Sequence, residues 1–273
     1  MPTRTRLLRV LCLLALLSGL PAAVSAQSAR ADLARARTAY NQRDFNEAIA
    51  AAAAARRAPD TADAAAIVLA RAHLERYREG ADPADLSAAR SVLGSVRAGG
   101  LDDRDEVELL LAMGEALFLE DDFGASAEVL ESGLGRARID PELFESMLEW
   151  WGSAIERRAS AAAPEARRAI HARLVDRMTR ELMLTPSSSA ASYWLVVGLR
   201  GAGQFDRAWD TAVAAWVRAR LAGSRAAALR ADLNQLVVHG IIPDRVRHIS
   251  QDQRAAAESQ LRADWELVKE RWK

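Results

Sequence analysis

Asp44-Phe45-Asn46-Glu47-Ala48 is the first occurrence of a phrase that the chain states three times: a polar residue, then phenylalanine, then a small residue three positions on. It returns as Asp122-Phe123 with Ser126 and as Gln204-Phe205 with Ala208, so successive phenylalanines stand 78 and 82 residues apart. Halving those gaps predicts two weaker copies. Asp85-Leu86 with Ala89 and Glu165-Ala166 with Ala169 supply them, giving steps of 41, 37, 43 and 39 residues. Around the phrases, alanine, leucine, arginine and glutamate dominate and strand-favouring clusters are scarce, a composition that favours helices. Pro59-Asp60, Asp82-Pro83, Gly99-Gly100, Asp140-Pro141, Pro186 to Ser189, Gly201 to Gly203 and Gly240 with Pro243 punctuate the chain as helix ends.

The chain resembles the tetratricopeptide repeat, whose helix–turn–helix unit places small residues where its two helices cross and an aromatic at the start of the second. Three units carry the likeness. They are Ala36, Phe45, Ala48 and Ala55; Gly114, Phe123, Ser126 and Gly133; and Trp194, Gly198, Phe205, Ala208 and Ala215. The units exceed the family's usual length of about 34 residues, and the fourth lacks the aromatic. The resemblance implies an all-α, right-handed α-solenoid of about five repeats over residues 28–222. A C-terminal helical cap is expected over residues 223–273, with a helix from about Ser224 to His239, a break at Gly240 to Pro243, and a last helix on which Leu261, Trp265, Val268 and Trp272 share one face.

Residues 1–26 have the layout of a secretory signal peptide. Arg4, Arg6 and Arg9 precede the apolar run Val10 to Leu20, and Val24-Ser25-Ala26 sets small residues before a cleavage point at Gln27. The run of 11 residues is too short for the roughly 20 that span a bilayer, so a periplasmic or secreted protein without a membrane span is expected. The one cysteine, Cys12, would leave with the leader. Without the three leader arginines, 34 basic residues face 37 acidic ones, and the two signs alternate along the helices. A nucleic-acid-binding surface needs a concentrated basic excess instead.

The chemistry-bearing residues do not assemble into a recognised motif. His73 and His171 stand alone in helices, and His239 and His248 are nine residues apart, so no pair has metal-ligand spacing. No G-x-S-x-G string occurs, and Gly99-Gly100 and Gly201-Ala202-Gly203 lack the lysine of a phosphate-binding loop. A carboxylate pair for glycan cleavage needs its members to meet only in space, yet no segment is left over for a separate catalytic domain. The expectation is a protein that is not an enzyme, takes no cofactor or metal, and holds another protein or peptide.

The tryptophans are the remaining irregularity, since all seven lie at or beyond residue 150. Adjacent helical residues point about 100° apart, so Trp150 and Trp151 cannot both face one core unless they straddle the boundary between two neighbouring helices. Trp150, Trp151, Trp194, Trp265 and Trp272 are therefore candidate partner-binding residues, with thicker helix packing as the plainer reading of the same cluster. Two other functions fit: a structural homo-oligomer formed through the last helix, and a carbohydrate-binding protein using the tryptophans. The six alanines Ala50 to Ala55 predict a slender second helix that buries little area.

Overall fold

The computed structural model describes residues 20–273, with side chains from Ala26 onward. Residues 1–19 of the expected leader, Cys12 among them, lie outside the described residues. Every regular element among the described residues is helical, and no helix there is long and apolar enough to cross a membrane. The chain forms two compact units, one up to Glu120 and one from Asp121 to Lys273.

The first unit contains α1 (Leu20–Asn41), α2 (Phe45–Ala55), α3 (Ala62–Gly80), α4 (Pro83–Leu93) and α5 (Asp103–Leu119), with a 3-10 turn at Ala98–Gly100. Helix α1 runs unbroken through Ala26 and Gln27. Short acidic side chains start the later helices by accepting from otherwise unpaired backbone N–H groups: Asp44 from Glu47 and Asp102 from Asp105, while Asp82 accepts from Ala84. Ala51, Ala52 and Ala55 of the alanine run are fully buried. Ala51 and Ala52 pack with Ala36, and the bulk comes from Val68 and Leu69 of α3. Small residues on one helix thus let a neighbour with larger side chains approach closely.

The second unit contains α6 (Phe123–Leu134), α7 (Pro141–Ala161), α8 (Pro164–Leu184), α9 (Ser189–Gly201), α10 (Phe205–Arg218), α11 (Ala226–Leu236), α12 (Ile242–Val246) and α13 (Gln251–Arg271). Its caps follow the same chemistry, with Asp122 accepting from Ala125, Asp140 from Glu142 and Leu143, and Ser188 from Ala191. Ser126, Gly133, Gly198, Ala208 and Ala215 are all buried, as the small positions of the phrase require.

The repeated phrase has a backbone counterpart. Arg43 (φ 62°), Asp121 (φ 62°) and Gly203 (φ 76°) each adopt the left-handed conformation just before the capping residue that precedes Phe45, Phe123 and Phe205. Ala81 (φ 54°) does the same before Asp82. In that second hairpin the helix begins at Pro83, so Asp85-Leu86 sits within the first turn instead of opening the helix as its sequence match implies. The hairpins make the fold helical and repeat-like.

The C-terminal region departs from its expected layout. Gly240 to Pro243 does not break the helix. A π-helical turn at Val237–Ile241 leads directly into α12, where Pro243 occupies the first turn and its missing N–H is not needed. The bare Cα of Gly240 admits the Arg200 guanidinium, which a Cβ there would meet at 2.9 Å. The chain breaks instead at the loop before Ser250, which precedes α13. Earlier, Gly223 (φ 57°) kinks the 3-10 segment Ala219–Arg225 that leads into α11.

Candidate functional site

Within the first unit, charged groups carried by α1, α3, α4 and α5 meet between the helices, and each buried carboxylate described here has a cation. Arg37 donates to Asp105 at 2.6 Å. Arg71 reaches Glu108 at 3.4 Å, Arg104 reaches the same carboxylate at 3.0 Å, and the Arg71 guanidinium lies 4.7 Å from the Tyr40 ring centroid. Asp85 holds His73 Nδ1 at 2.7 Å and Arg76 Nε at 2.9 Å, and the Arg76 bond, the largest influence, keeps its carboxyl below the usual range. Burial pushes Tyr40 strongly up, the nearby Arg71 opposing it. Such satisfied networks fix the register of helices against one another.

The second unit carries a different arrangement on α7, α9 and α11. Glu145, Glu149, Gly152 and Glu156 fall on one stripe of α7, beside the face of the buried Met147, Leu148, Trp151 and Ile155. Across Gly152 lies the indole of Trp194 from α9, so close that a Cβ on residue 152 would stand 2.5 Å from the ring. Tyr193 meets Trp194 edge to face at 5.1 Å. Beyond it, Tyr193 and Arg200 of α9 line a hollow with Asp232, Gln235 and His239 from α11 and the turn that follows it. A second hollow lies between Glu145 and Phe144 of α7 and the segment Leu221 to Arg225. Glu149 is coupled electrostatically to both: Asp232 of the first and Glu145 of the second repel its charge, and Arg225 attracts it.

Glu149 is exposed at the surface, yet protein crowds its carboxyl, and this partial loss of water, the leading cause, pushes it up to about 7. The Trp194 N–H is directed at this carboxylate and favours its ionised form, but closes no hydrogen bond in standard geometry. Asp232 is also pushed up by burial, as is the Tyr193 phenol, with Asp232 and Glu149 adding to the effect. Two other carboxylates of α7 are engaged. Glu145 accepts from Ser189 Oγ at 2.8 Å and from the Ala190 N–H at 3.0 Å, tying the start of α9 to α7. Glu156 bonds His171 Nε2 at 2.8 Å, and His171 is wedged beneath Gly201, where a Cβ would collide with its ring.

The tryptophans singled out in the sequence part company. Trp151 and Trp265 are wholly buried and Trp194 is 7% exposed. These three present almost no surface to a partner, because each fills the space between neighbouring helices. Trp150 is half-buried, so the two adjacent indoles do point different ways. Trp272 is 39% exposed, with Arg220 6.0 Å from its ring centroid. Trp265 meets Trp216 at 5.4 Å and Trp209 at 6.0 Å, both edge on, and donates to Asn234 Oδ1 at 3.0 Å. Leu261 and Val268 pack beside it, so this face of α13 covers the end of the core of the second unit. Glu149, Tyr193 and Asp232 are the residues that the sequence did not single out. Their signal was the polar stripe of α7, which looks like any solvated helix face until α9 and α11 are laid beside it.

No group of three or more histidine, cysteine, aspartate or glutamate side chains able to hold a metal ion occurs among the described residues. The fold and this face define the class of protein: an all-helical, hairpin-built chain whose second unit bears hollows of mixed acidic, basic and aromatic lining. No family model, curated protein or solved structure matches it.

Proposed function

We propose that this chain is a non-catalytic scaffold or adaptor, exported to the periplasm or secreted, built as a solenoid of tetratricopeptide-like repeats and holding another protein through the face formed by α7, α9 and α11. The observation that carries the reading is the state of that face. Polar and aromatic side chains from these alternate helices come together there, and Glu149 and Asp232, both at the surface, have no ion pair within the unit. Surface charges without a counterion, beside two hollows of the same unit, are what a partner's side chains would complete. Cell-envelope assembly is one setting that suits an exported adaptor. A photo-crosslinking amino acid placed at Gln235, in the recess, tests the reading against the same group at Arg180, exposed on α8. The expected outcome is a discrete adduct from Gln235 alone; equal labelling from both positions, or none from either, refutes it.

A second reading has its own observation. Leu267 of α13 (58% exposed) and Trp272 leave apolar surface at the C-terminal end, which suits self-association. Sedimentation of the wild type against Leu267→Glu decides it, and a monomer in both cases removes the oligomer.

A further inference from the structure

We propose that the end of the second unit where three of its helix connections meet is a membrane-docking surface, which sets apolar side chains among the lipids of an anionic bilayer and arginines at their phosphates. The inference goes beyond the adaptor reading, since it needs no protein partner and concerns the ends of the helices instead of the face of α7, α9 and α11.

The connections are residues 135–140 between α6 and α7, residues 185–188 between α8 and α9, and residues 219–225 between α10 and α11. They are alternate turns of the chain, and folding gathers them. Arg138 and Pro141, Thr185 and Ser187, and the segment Leu221 to Arg225 line one hollow. Arg138 ties the first connection to α8 by its bond to Glu181, with its guanidinium 4.6 Å from the Phe144 ring centroid. Large apolar side chains stand out beside this hollow: Ile139 in the first connection, Met183 and Leu184 where α8 runs into the second, and Leu221 in the third. Each is more than half exposed, and Met183 reaches 71%. Among the described residues the other large apolar side chains so exposed are Leu267 and Trp272, so four of six lie at this one end. Proteins that stay alone in water rarely gather exposed apolar surface without a use for it. The intervening connections, Ala162-Ala163 and Ala202 to Gln204, carry only small or polar residues.

Charge names the occupant. Acidic and basic residues alternate along most of the chain, but from Thr211 to Ala231 there are four arginines, Arg218, Arg220, Arg225 and Arg230, and no carboxylate. Arg230 donates to the Trp272 carbonyl at 2.9 Å and stands 5.1 Å from the Trp216 ring centroid, and Arg220 lies 6.0 Å from that of Trp272. The first connection adds Arg136 and Arg138 just before Ile139, as Arg220 comes just before Leu221. Of the carboxylates here, Asp140 is turned to the backbone of Glu142 and Leu143, and Glu145 to Ser189 and the Ala190 N–H. Glu142 is exposed, and the end keeps a basic excess. Apolar tips with arginine one step behind match the layering of a bilayer, in which acyl chains lie beneath a plane of phosphates. A protein partner would need a counter-surface shaped to separate protrusions, whereas lipid chains rearrange around each one. Arginine stems can lie along the apolar layer while their charge stays at headgroup level. Trp272, beside Arg220, is of the residue type that settles at a membrane interface.

The test uses the full chain carrying Cys12→Ser, with the polarity-sensitive fluorophore NBD on one introduced cysteine, so that the probe reports its own position and not the N-terminal segment. With Met183→Cys, vesicles of phosphatidylglycerol and phosphatidylethanolamine should raise the emission and shift it to the blue, and phosphatidylcholine vesicles should not. Ala163→Cys, in an intervening connection, should respond to neither. Added to the Met183→Cys chain, Leu221→Ser and the pair Arg220→Gln with Arg225→Gln should each raise the lipid concentration at half-response roughly tenfold, the size expected when one apolar side chain or two headgroup contacts leave the interface. Arg168→Gln, about 24 Å from Leu184 along α8, should leave it unchanged. Circular dichroism confirms that the variants are folded. No response at Met183, an equal response to phosphatidylcholine, an equal response at Ala163, or a tenfold loss in Arg168→Gln would each overturn the proposal. So would a blue shift that grows with protein concentration in the absence of lipid, because a second copy of the chain would then be what covers this end.

Discussion

Replacing Trp265 by alanine should remove the one fully buried residue of α13. Its indole is fully buried, sits edge on to Trp216 at 5.4 Å and Trp209 at 6.0 Å, and donates to Asn234 at 3.0 Å. A buried tryptophan removes at least about 150 Å² from water, worth about 4 kcal/mol at about 25 cal/mol per Å². This agrees with the roughly 3–5 kcal/mol seen when buried aromatic residues become alanine. For a unit of this size, about 2–4 °C per kcal/mol makes the fall in melting temperature about 8–16 °C. The assay is favourable because all seven tryptophans lie at or beyond residue 150, so indole emission reports the second unit alone, whereas far-ultraviolet dichroism reports both. Trp265→Phe separates packing from the hydrogen bond. It keeps a ring, and Asn234 Oδ1 retains Lys269 Nζ at 3.0 Å, so its cost should stay near 1–2 kcal/mol, roughly one hydrogen bond plus a small void. A loss below about 1 kcal/mol in Trp265→Ala, or equal losses in the two variants, would refute the packing described here.

Three further outcomes follow from the same geometry. Gly152→Ala should destabilise by about 1–3 kcal/mol, because its Cβ would stand 2.5 Å from the Trp194 ring, whereas Gly124→Ala, with open space around it in α6, should stabilise by up to about 1 kcal/mol; urea midpoints of opposite sign are the signature. Asp85→Asn should cost about 1–3 kcal/mol by loosening His73 and Arg76, and that cost should shrink as the pH falls through the depressed Asp85 pKa and the wild type loses the same charge. For Glu149 the sign is reversed. With its carboxyl raised to about 7 from the usual 4.5, the folded state holds the proton more tightly than the unfolded one, so ionisation penalises folding, progressively from about pH 4.5 and fully above about 7. Glu149→Gln should therefore gain stability over the wild type at pH 8 and little at pH 4, and a flat difference in unfolding midpoints across that range would contradict the environment described for it.

The helices were legible because their signals are local. Asp44, Asp122 and Asp140 are capping residues wherever they stand before a helix, and the left-handed turns at Arg43, Asp121 and Gly203 follow from how tightly one helix must hand over to the next. Gly240 and Pro243 misled for the same reason. Both are breakers in isolation, and only the approach of Arg200 from α9 shows why glycine stands there while the helix continues. The tryptophans show a second limit. Sequence places Trp150 and Trp151 on different sides of one helix, but which side is inside depends on where α9 and its Trp194 cross α7.

By itself the sequence determined that the chain is helical, where most of its helices begin, and that its small residues recur where helices pack, because capping, periodicity and close approach are properties of residues a few positions apart. Only the tertiary structure decided which charges are satisfied. Asp105 finds Arg37 across 68 positions of sequence and Glu181 finds Arg138 across 43, whereas Glu149 and Asp232, 83 positions apart, are set near each other with no cation between them. An acidic residue on a helix looks the same in both situations; what separates them is the identity of the groups that folding brings opposite it.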